Sequence, residues 1–466
     1  MTRAWAAAGP AKGGDEAVGG EAASDQRGRH EAASDQRGRQ QERGTLVGAV
    51  LELDVGAPGH GGFCVARHDG RAVFVRHALP GERVRAAVTE QRRSYLRADA
   101  VEVTRASPDR VTPPCRYAGP GRCGGCDWQH VRLDAQRRLK ATVVAEQLRR
   151  LASLDVEVVV EPVFGSSDGL GWRTRVAFAV RPDGVVGLRR HRSHTVQPVG
   201  RCLIASPGVE AVGAERVRWP GVAAVEVIAS AGAGERAVIV TPRRRGRIAV
   251  PVSDPELAVS FTPLPGSRRR SRPARAGVHE VAAGRRWQVS GTGFWQVHPG
   301  AADVLVEAVA QMLQPRPGET AIDLFSGVGL FAAVLARHVG PAGSVVAVEA
   351  AASAVADARH NLADLPQVQV RWGRVDAAAV DRWWPAADLV VLDPPRSGAG
   401  PTLVAALAGL RPRAVAYVAC DPAALARDVA AFAAADYRLS RLRAFDLFPM
   451  TAHVECVALL TPDGPR

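Results

Sequence analysis

No stretch of this 466-residue chain approaches the roughly 20 consecutive apolar residues that a bilayer-crossing helix needs. The N-terminus offers only a short alanine run after Trp5 and no apolar signal segment. A protein of the cytoplasm with no membrane partner is the expectation. Lysine is nearly missing: Lys12 and Lys140 stand alone, and arginine supplies almost all of the 60 basic residues that face 47 acidic ones. The formal net charge of +13 favours a polyanionic partner, yet a composition so skewed to arginine weakens charge as a sign of nucleic acid. Cysteine is sparse and odd in number: Cys64, Cys115, Cys123, Cys126, Cys202, Cys420 and Cys456. That argues against a disulfide scaffold and turns attention to metal ligands and nucleophiles.

What is present is 47% hydrophobic residues, enough for large cores, and a length that implies two to four domains. Residues 1–43 are polar and carry the tandem copy EAASDQRGR at 21–29 and 31–39; a tail of this kind buries no core and is expected to be disordered. From 44 to 104, five short β-rich runs punctuated by Gly and Pro predict a five-stranded OB-like β-barrel, with Arg92 and Arg93 beside Tyr95. Residues 105–290 hold a cysteine cluster, a helix near 131–151 and mixed strands, an α+β pattern; the run SRRRSRPAR at 267–275 reads as an exposed basic loop. From 291 to 466 helices and strands alternate. This predicts an α/β, Rossmann-like doubly wound sheet ending in an antiparallel edge hairpin at 437–448 and 453–460.

The chemistry gathers in that last segment. Asp323-Leu-Phe-Ser-Gly-Val-Gly329 joins a hydrophobic strand to a helix, and its glycines let the backbone approach a ligand at the strand's carboxyl end. Glu349 ends the next strand, where a carboxylate can accept hydrogen bonds from both hydroxyls of a ribose. The turn is not the six-residue GxGxxG that cradles dinucleotide phosphates, so S-adenosylmethionine, which has no phosphate, fits better. In VVLDPPRSG (390–398) the DPP is followed by Arg396, not by the aromatic residue of enzymes that methylate base amino groups. Cys420 ends a later strand just before a helix, a place where the helix N-terminus can depress a thiol's pKa and make a nucleophile.

Taken together, CRYAGPGRCGGCDWQH, GTGFWQVHP, DLFSGVG, VVLDPPRSG, YVACDPAALARD and LFPMTAHVECVALL resemble the RNA uridine-5-methyltransferase family over residues 45–462. The likeness is greatest to its branch with an N-terminal TRAM barrel and an iron–sulfur cluster, whose known bacterial members modify 23S ribosomal RNA. The resemblance implies a class I methyltransferase domain in which Gln296, Phe325, Glu349 and Asp393 contact S-adenosylmethionine. It also implies Cys420 as the nucleophile and Glu455 as the general base, on a monomer that takes structured RNA, ribosomal before transfer. Three positions depart from the pattern: Leu330 and His298 stand where the family often has Asn, and Asp421 replaces the Asn after the cysteine.

These residue types suit the reaction. Uracil C5 is a poor nucleophile; thiolate addition at C6 loads C5 with electron density, and a base must then remove the C5 proton. A base stacked in a helix hides C6, so the target uridine is expected flipped or looped out.

Cys115, Cys123 and Cys126 follow a C-x7-C-x2-C spacing, with Cys202 far downstream. Four thiolates could hold zinc or a [4Fe–4S] cluster; spacing does not decide, and structural zinc is the commoner of the two, but the family likeness of CGGCDWQH favours iron–sulfur. Cys64 and Cys456 read as packed thiols. Two alternatives stay open: a transfer-RNA uridine-5- or RNA cytosine-5-methyltransferase, and a non-catalytic RNA-binding factor, the latter disfavoured by Cys420 and Glu455 together.

Overall fold

A computed structural model describes residues 45–244, 248–252, 254, 256–262, 277–383 and 386–464. The repeat-bearing tail and the basic run at 267–275 lie outside the described residues.

All five runs predicted near the N-terminus are strands, and the two-residue strand Pro58–Gly59 makes a sixth. Their order is Val50–Asp54, Arg83–Gln91, Tyr95–Arg105, Arg71–Arg76, Phe63–His68, Pro58–Gly59. Alternation decides the faces: Val73, Val75, Val84, Ala86, Leu96 and Ala98 fill one core, while Arg83 and Arg85 face outward.

A second six-stranded sheet runs Val196–Pro198, Val186–Arg189, Arg175–Val180, Val222–Ala229, Arg236–Pro242, Ala258–Phe261. It packs around Phe178, Trp219 and Val225.

The third sheet has eight strands in the order Val368–Trp372, Ser344–Glu349, Thr320–Leu324, Leu389–Leu392, Ala414–Ala419, Glu455–Pro462, Tyr437–Asp446, Val160–Pro162. Its central strands read LVVL and AVAYVA and are buried throughout, as strands covered on both faces must be. Leu389 and Val391 point into the layer with helices Ala301–Leu313 and Leu330–Val339, whereas Val390 and Leu392 point to the opposite layer. Each such fully buried side chain contributes about 1.5–3 kcal/mol. The strand order reverses between Thr320–Leu324 and Leu389–Leu392, and in open sheets that switch point is where ligands bind.

Two features differ from the sequence expectation. First, the C-terminal hairpin is not the edge: Val160–Pro162 pairs in parallel outside it, Val160 opposite Ala444. Second, a cut at 290/291 does not match the packing. Helix Leu133–Ala152 buries Val144 and Leu148 in the same core as Phe432 of helix Pro422–Ala433. Hairpin Gly277–Ala282 and Arg285–Ser290 places Trp287 and Val289 in the core with Trp295 and Leu305, and Asp357 accepts from Ser290 N at 2.8 Å. Linear reading misses both because apolar periodicity says that a face is buried, never against which partner.

Candidate active site and cofactor cleft

The ladder between Ala414–Ala419 and Glu455–Pro462 ends on the pair Ala419–Cys456. Antiparallel register therefore makes Cys420 and Glu455 the next cross-strand neighbours, each one step beyond that pair. Asp421 caps the following helix by accepting from Ala424 N at 2.8 Å. Glu455 is 3% exposed, and burial, with Asp393 nearby, holds its carboxyl well above the usual range. Here the structure corrects an expectation. The Cys420 thiol is not depressed by the helix terminus; burial first, then the Glu455 carboxylate and less strongly Asp393 and Asp421, push it up to about 12. Arg396 opposes the shift at both Cys420 and Glu455. The DPPR motif thus supplies a cation that acts on both Cys420 and Glu455, a placement that the sequence did not disclose.

At the sheet's switch point the chain leaves strand Thr320–Leu324 through Phe325, whose φ of 62° is left-handed although it is not glycine. Ser326 N donates to the Val348 carbonyl at 3.0 Å, which ties the turn to the neighbouring strand. Gly329 has φ 93°, and a Cβ there would meet Leu362 Cδ1 at 2.6 Å. Only glycine satisfies both constraints. Glu349 accepts from Gly327 N at 3.1 Å and from Ala351 N at 2.7 Å. Asp323 is completely buried and accepts from Ala332 N at 2.8 Å, leaving Oδ1 without a partner; Ser326 Oγ is likewise buried and unpartnered. Burial raises Asp323 well above the carboxylate range, with Asp393 and Glu349 adding to the effect, and burial raises Asp393 to about 7. A cleft that crowds three carboxylates and orphans two polar atoms suits a cationic ligand rich in hydrogen-bonding groups, and S-adenosylmethionine is one.

Phe325, Glu349 and Asp393 thus share the switch point. Gln296 lines a cavity of about 170 Å³ with Thr174, Gly232, Glu280 and Pro299. Two of the departures are explained. Leu330 is core, the first residue of helix Leu330–Val339, and buried His298 accepts from Gly300 N through Nδ1 at 3.2 Å.

The segment behind Glu455 is pinned from a distance. Fully buried Lys140 donates to Asp446 Oδ1 and, at 3.0 Å, to the Phe448 carbonyl. Gln136 accepts from Met450 N at 2.8 Å, and Asp127 pairs with Arg76 at 3.0 Å while accepting from Ala452 N at 3.3 Å. Sequence reasoning missed these residues. The signal for Lys140 was its rarity, a lone lysine in the middle of an arginine-rich helix.

Cys123 bridges in antiparallel fashion to Arg190, and Gly200 N donates to Tyr117 Oη at 3.0 Å, which draws the Cys202 segment toward Cys115–Cys126. The four thiols sense one another. Burial raises Cys123 to about 11, with Cys202 and Cys115 adding to it, and Cys126 rises through burial and then Cys202 and Cys123. Gly125 N and Gln129 Nε2 each donate to a sulfur at 3.4 Å. Among the described residues no group of three or more His, Cys, Asp or Glu stands close enough to hold a metal ion. Four thiols are a donor set that structural zinc and iron–sulfur clusters share. Cys64 and Cys456 are buried packing thiols. No helix among the described residues is long and apolar enough to cross a membrane.

A doubly wound sheet with an acidic, glycine-lined cleft at its switch point defines a methyltransferase of the S-adenosylmethionine-dependent class, and known proteins agree. Residues 44–101 match the TRAM domain and residues 285–462 the tRNA (Uracil-5-)-methyltransferase family. An uncharacterized RNA methyltransferase of Streptomyces avermitilis is 51% identical over 428 residues, 89% of this chain and 99% of that one. The 23S rRNA (uracil(1939)-C(5))-methyltransferase of Alkalilimnicola ehrlichii is 34% identical over 88% of this chain and 96% of its own. The Pyrococcus abyssi tRNA (uracil-54, C5)-methyltransferase, solved with S-adenosyl-L-homocysteine, shares the fold with a TM-score of 0.67, at 23% identity, over 88% of this chain and 100% of that one. The chain belongs to the S-adenosylmethionine-dependent RNA uracil-5-methyltransferase family and is an enzyme of that kind.

Proposed function

We propose that this enzyme forms 5-methyluridine in 23S ribosomal RNA, acting as a cytoplasmic monomer, with Cys420 as nucleophile and Glu455 as general base. The observation that carries the catalytic assignment is the register of Cys420 and Glu455, cross-strand neighbours beside the cofactor cleft. The preference for ribosomal RNA rests on the Alkalilimnicola ehrlichii relative.

The Cys420 thiol gives up its proton to solvent, favoured by Arg396 and opposed by the adjoining carboxylates. Its sulfur bonds to C6, and the C5–C6 π pair moves toward C4 and its oxygen as an enolate. Bound S-adenosylmethionine supplies the methyl group, which C5 takes in line. Glu455 must first give up its own proton, a loss that burial opposes and Arg396 favours; the carboxylate then takes the C5 proton, the C5–C6 double bond re-forms and the C6–S bond breaks. Cofactor contacts fall to Phe325, Glu349 and Asp393 at the switch point, with Asp323 and Ser326 added by their unpartnered atoms. Gln296 would join them through the segment that precedes helix Ala301–Leu313.

Cys115, Cys123, Cys126 and Cys202 would hold a [4Fe–4S] cluster, zinc being the less favoured occupant. The cluster's task is structural: it knits the segment that ends in Asp127 and Trp128, which in turn holds Met450 and Ala452 ahead of Glu455. A colourless, zinc-loaded protein after anaerobic purification would overturn that part.

The function is tested by mapping 5-methyluridine in ribosomal and transfer RNA from a strain lacking the gene. Loss at one 23S position is expected; loss only in transfer RNA would redirect the substrate. Cys420→Ala should abolish methyl incorporation yet keep RNA binding, and Glu455→Gln should accumulate a covalent protein–RNA adduct on denaturing gels. Near-normal turnover by Cys420→Ala would remove the nucleophile assignment.

A further inference from the structure

Three aromatic rings lie side by side on the outer face of the N-terminal sheet. Phe63, Phe74 and Tyr95 come from adjoining strands, with ring centroids 4.6 Å apart for Phe63–Phe74 and 5.2 Å for Phe74–Tyr95. The strand alternation that sends Cys64, Val73, Val75 and Leu96 into the core sends these three outward, where they stay half-buried. Arg97, in register with Phe74 across the ladder, holds its guanidinium 5.4–5.9 Å from all three centroids. Its Nε makes no hydrogen bond and lies 3.4 Å from the Glu90 carboxylate, which holds the arginine over the rings. Across from this shelf stands Arg192 of the second sheet's loop, which reaches Glu90 at 3.7 Å.

A packing role leaves two facts unexplained. Cross-strand aromatic pairs stabilise a sheet, but packing gives no account of the guanidinium held 5.4–5.9 Å from all three rings. Second, the shelf is joined to the reaction centre. The Phe63 ring lies against Gly59, where a Cβ would meet it at 2.5 Å, and the next residue, His60, reaches Asp421 Oδ2 at 3.2 Å, one position from Cys420. The ring therefore supports the loop that touches the nucleophile's neighbour.

We infer that Phe74 and Tyr95, with Arg97, form a stacking shelf for unpaired RNA bases flanking the target uridine. Every base offers a π-face, and stacking on aromatics beside arginine is how sequence-tolerant single-strand sites work. Arg93, exposed on the turn before Tyr95, supplies charge for the accompanying phosphates, whereas Arg92 beside it is paired with Glu90 at 2.5 Å. The inference rests on the RNA-methyltransferase reading and extends it: the substrate would present a single-stranded stretch, not only one flipped base.

The test is fluorescence anisotropy with a 12-nucleotide oligouridine, the same oligomer with central abasic sites, and an RNA duplex of equal length. The wild-type protein should bind oligouridine about 10- to 100-fold more tightly than the abasic oligomer. The double variant Phe74→Leu/Tyr95→Leu keeps apolar volume; it should lose that preference and bind both oligomers alike. Tyr95→Phe should keep it. Unchanged affinity for S-adenosylhomocysteine and an unchanged melting temperature would show that the variant is folded. A leucine variant that still prefers oligouridine, or a wild type that prefers the duplex, overturns the shelf and leaves a protein-docking face as its alternative. Methyl incorporation into total RNA reports the enzyme function separately: wild-type activity with no stacking preference sinks the shelf alone, and no wild-type activity sinks the function.

Discussion

His60 and Asp421 stand 3.2 Å apart, one on a loop of the N-terminal sheet and the other capping the helix that starts beside Cys420. The N-terminal module of the protein thereby touches the residue next to Cys420, the proposed nucleophile. Both side chains are partly solvated, so the pair is worth about 0–1 kcal/mol in stability. Its value is positional. His60→Ala should melt within a few degrees of the wild type while raising KM for RNA more than it lowers kcat. A lowered kcat with KM intact would place His60 in the chemical step instead.

Arg396 is the cation that acts on both Cys420 and Glu455, the two groups proposed to react. With the Cys420 thiol raised to about 12, the thiolate fraction, and with it the rate, should climb with pH across the neutral and alkaline range. Arg396→Gln removes the group that lowers the thiol. The ascending limb should move to higher pH, and turnover at a fixed, near-neutral pH should fall about tenfold for every pH unit that the limb travels. A profile that drops without moving would mean that Arg396 only binds substrate.

Lys140 and Asp446 are buried together, and removing one leaves the other charge without compensation. Lys140→Met should cost about 3–5 kcal/mol, whereas Lys140→Met with Asp446→Leu should cost far less. Urea denaturation of both proteins checks this. If the single variant is as stable as the wild type, the pair does not hold the segment before Glu455.

Glu280 is 4% exposed, and its carboxyl is raised by burial from 4.5 to about 7. The folded chain then holds this proton to higher pH than the unfolded chain does. The native state is penalised increasingly as pH rises from 4.5 through 7, and not below. Glu280→Gln should raise the melting temperature at alkaline pH by about 2–4 °C per kcal/mol recovered, with the gain vanishing toward pH 4.5. Equal gain at both ends of that range would point to packing instead of charge.

The local chemistry of this chain could be read from its letters. DLFSGVG, Glu349 and DPPR fall at strand ends because strand–turn–helix patterns are written in neighbouring residues. The eight-stranded sheet was legible for the same reason, apart from its last member. Partnerships across long separations were not. Nothing near Val160 announces that it pairs with Ala444, nor near His60 that it meets Asp421. The state of Cys420 was misjudged on the same account: the helix terminus is local and visible, while the burial of the thiol, and after it the Glu455 carboxylate, come from packing between distant strands.

The strand Val160–Pro162, laid along the outside of Tyr437–Asp446, has a bearing on evolution as well as on handling. A catalytic half cut out at the family boundary near residue 285 would show a raw β edge and the apolar bed of helix Leu133–Ala152. Such a fragment would self-associate. Exchanging the N-terminal half for another would therefore also mean replacing the selvedge of the catalytic sheet.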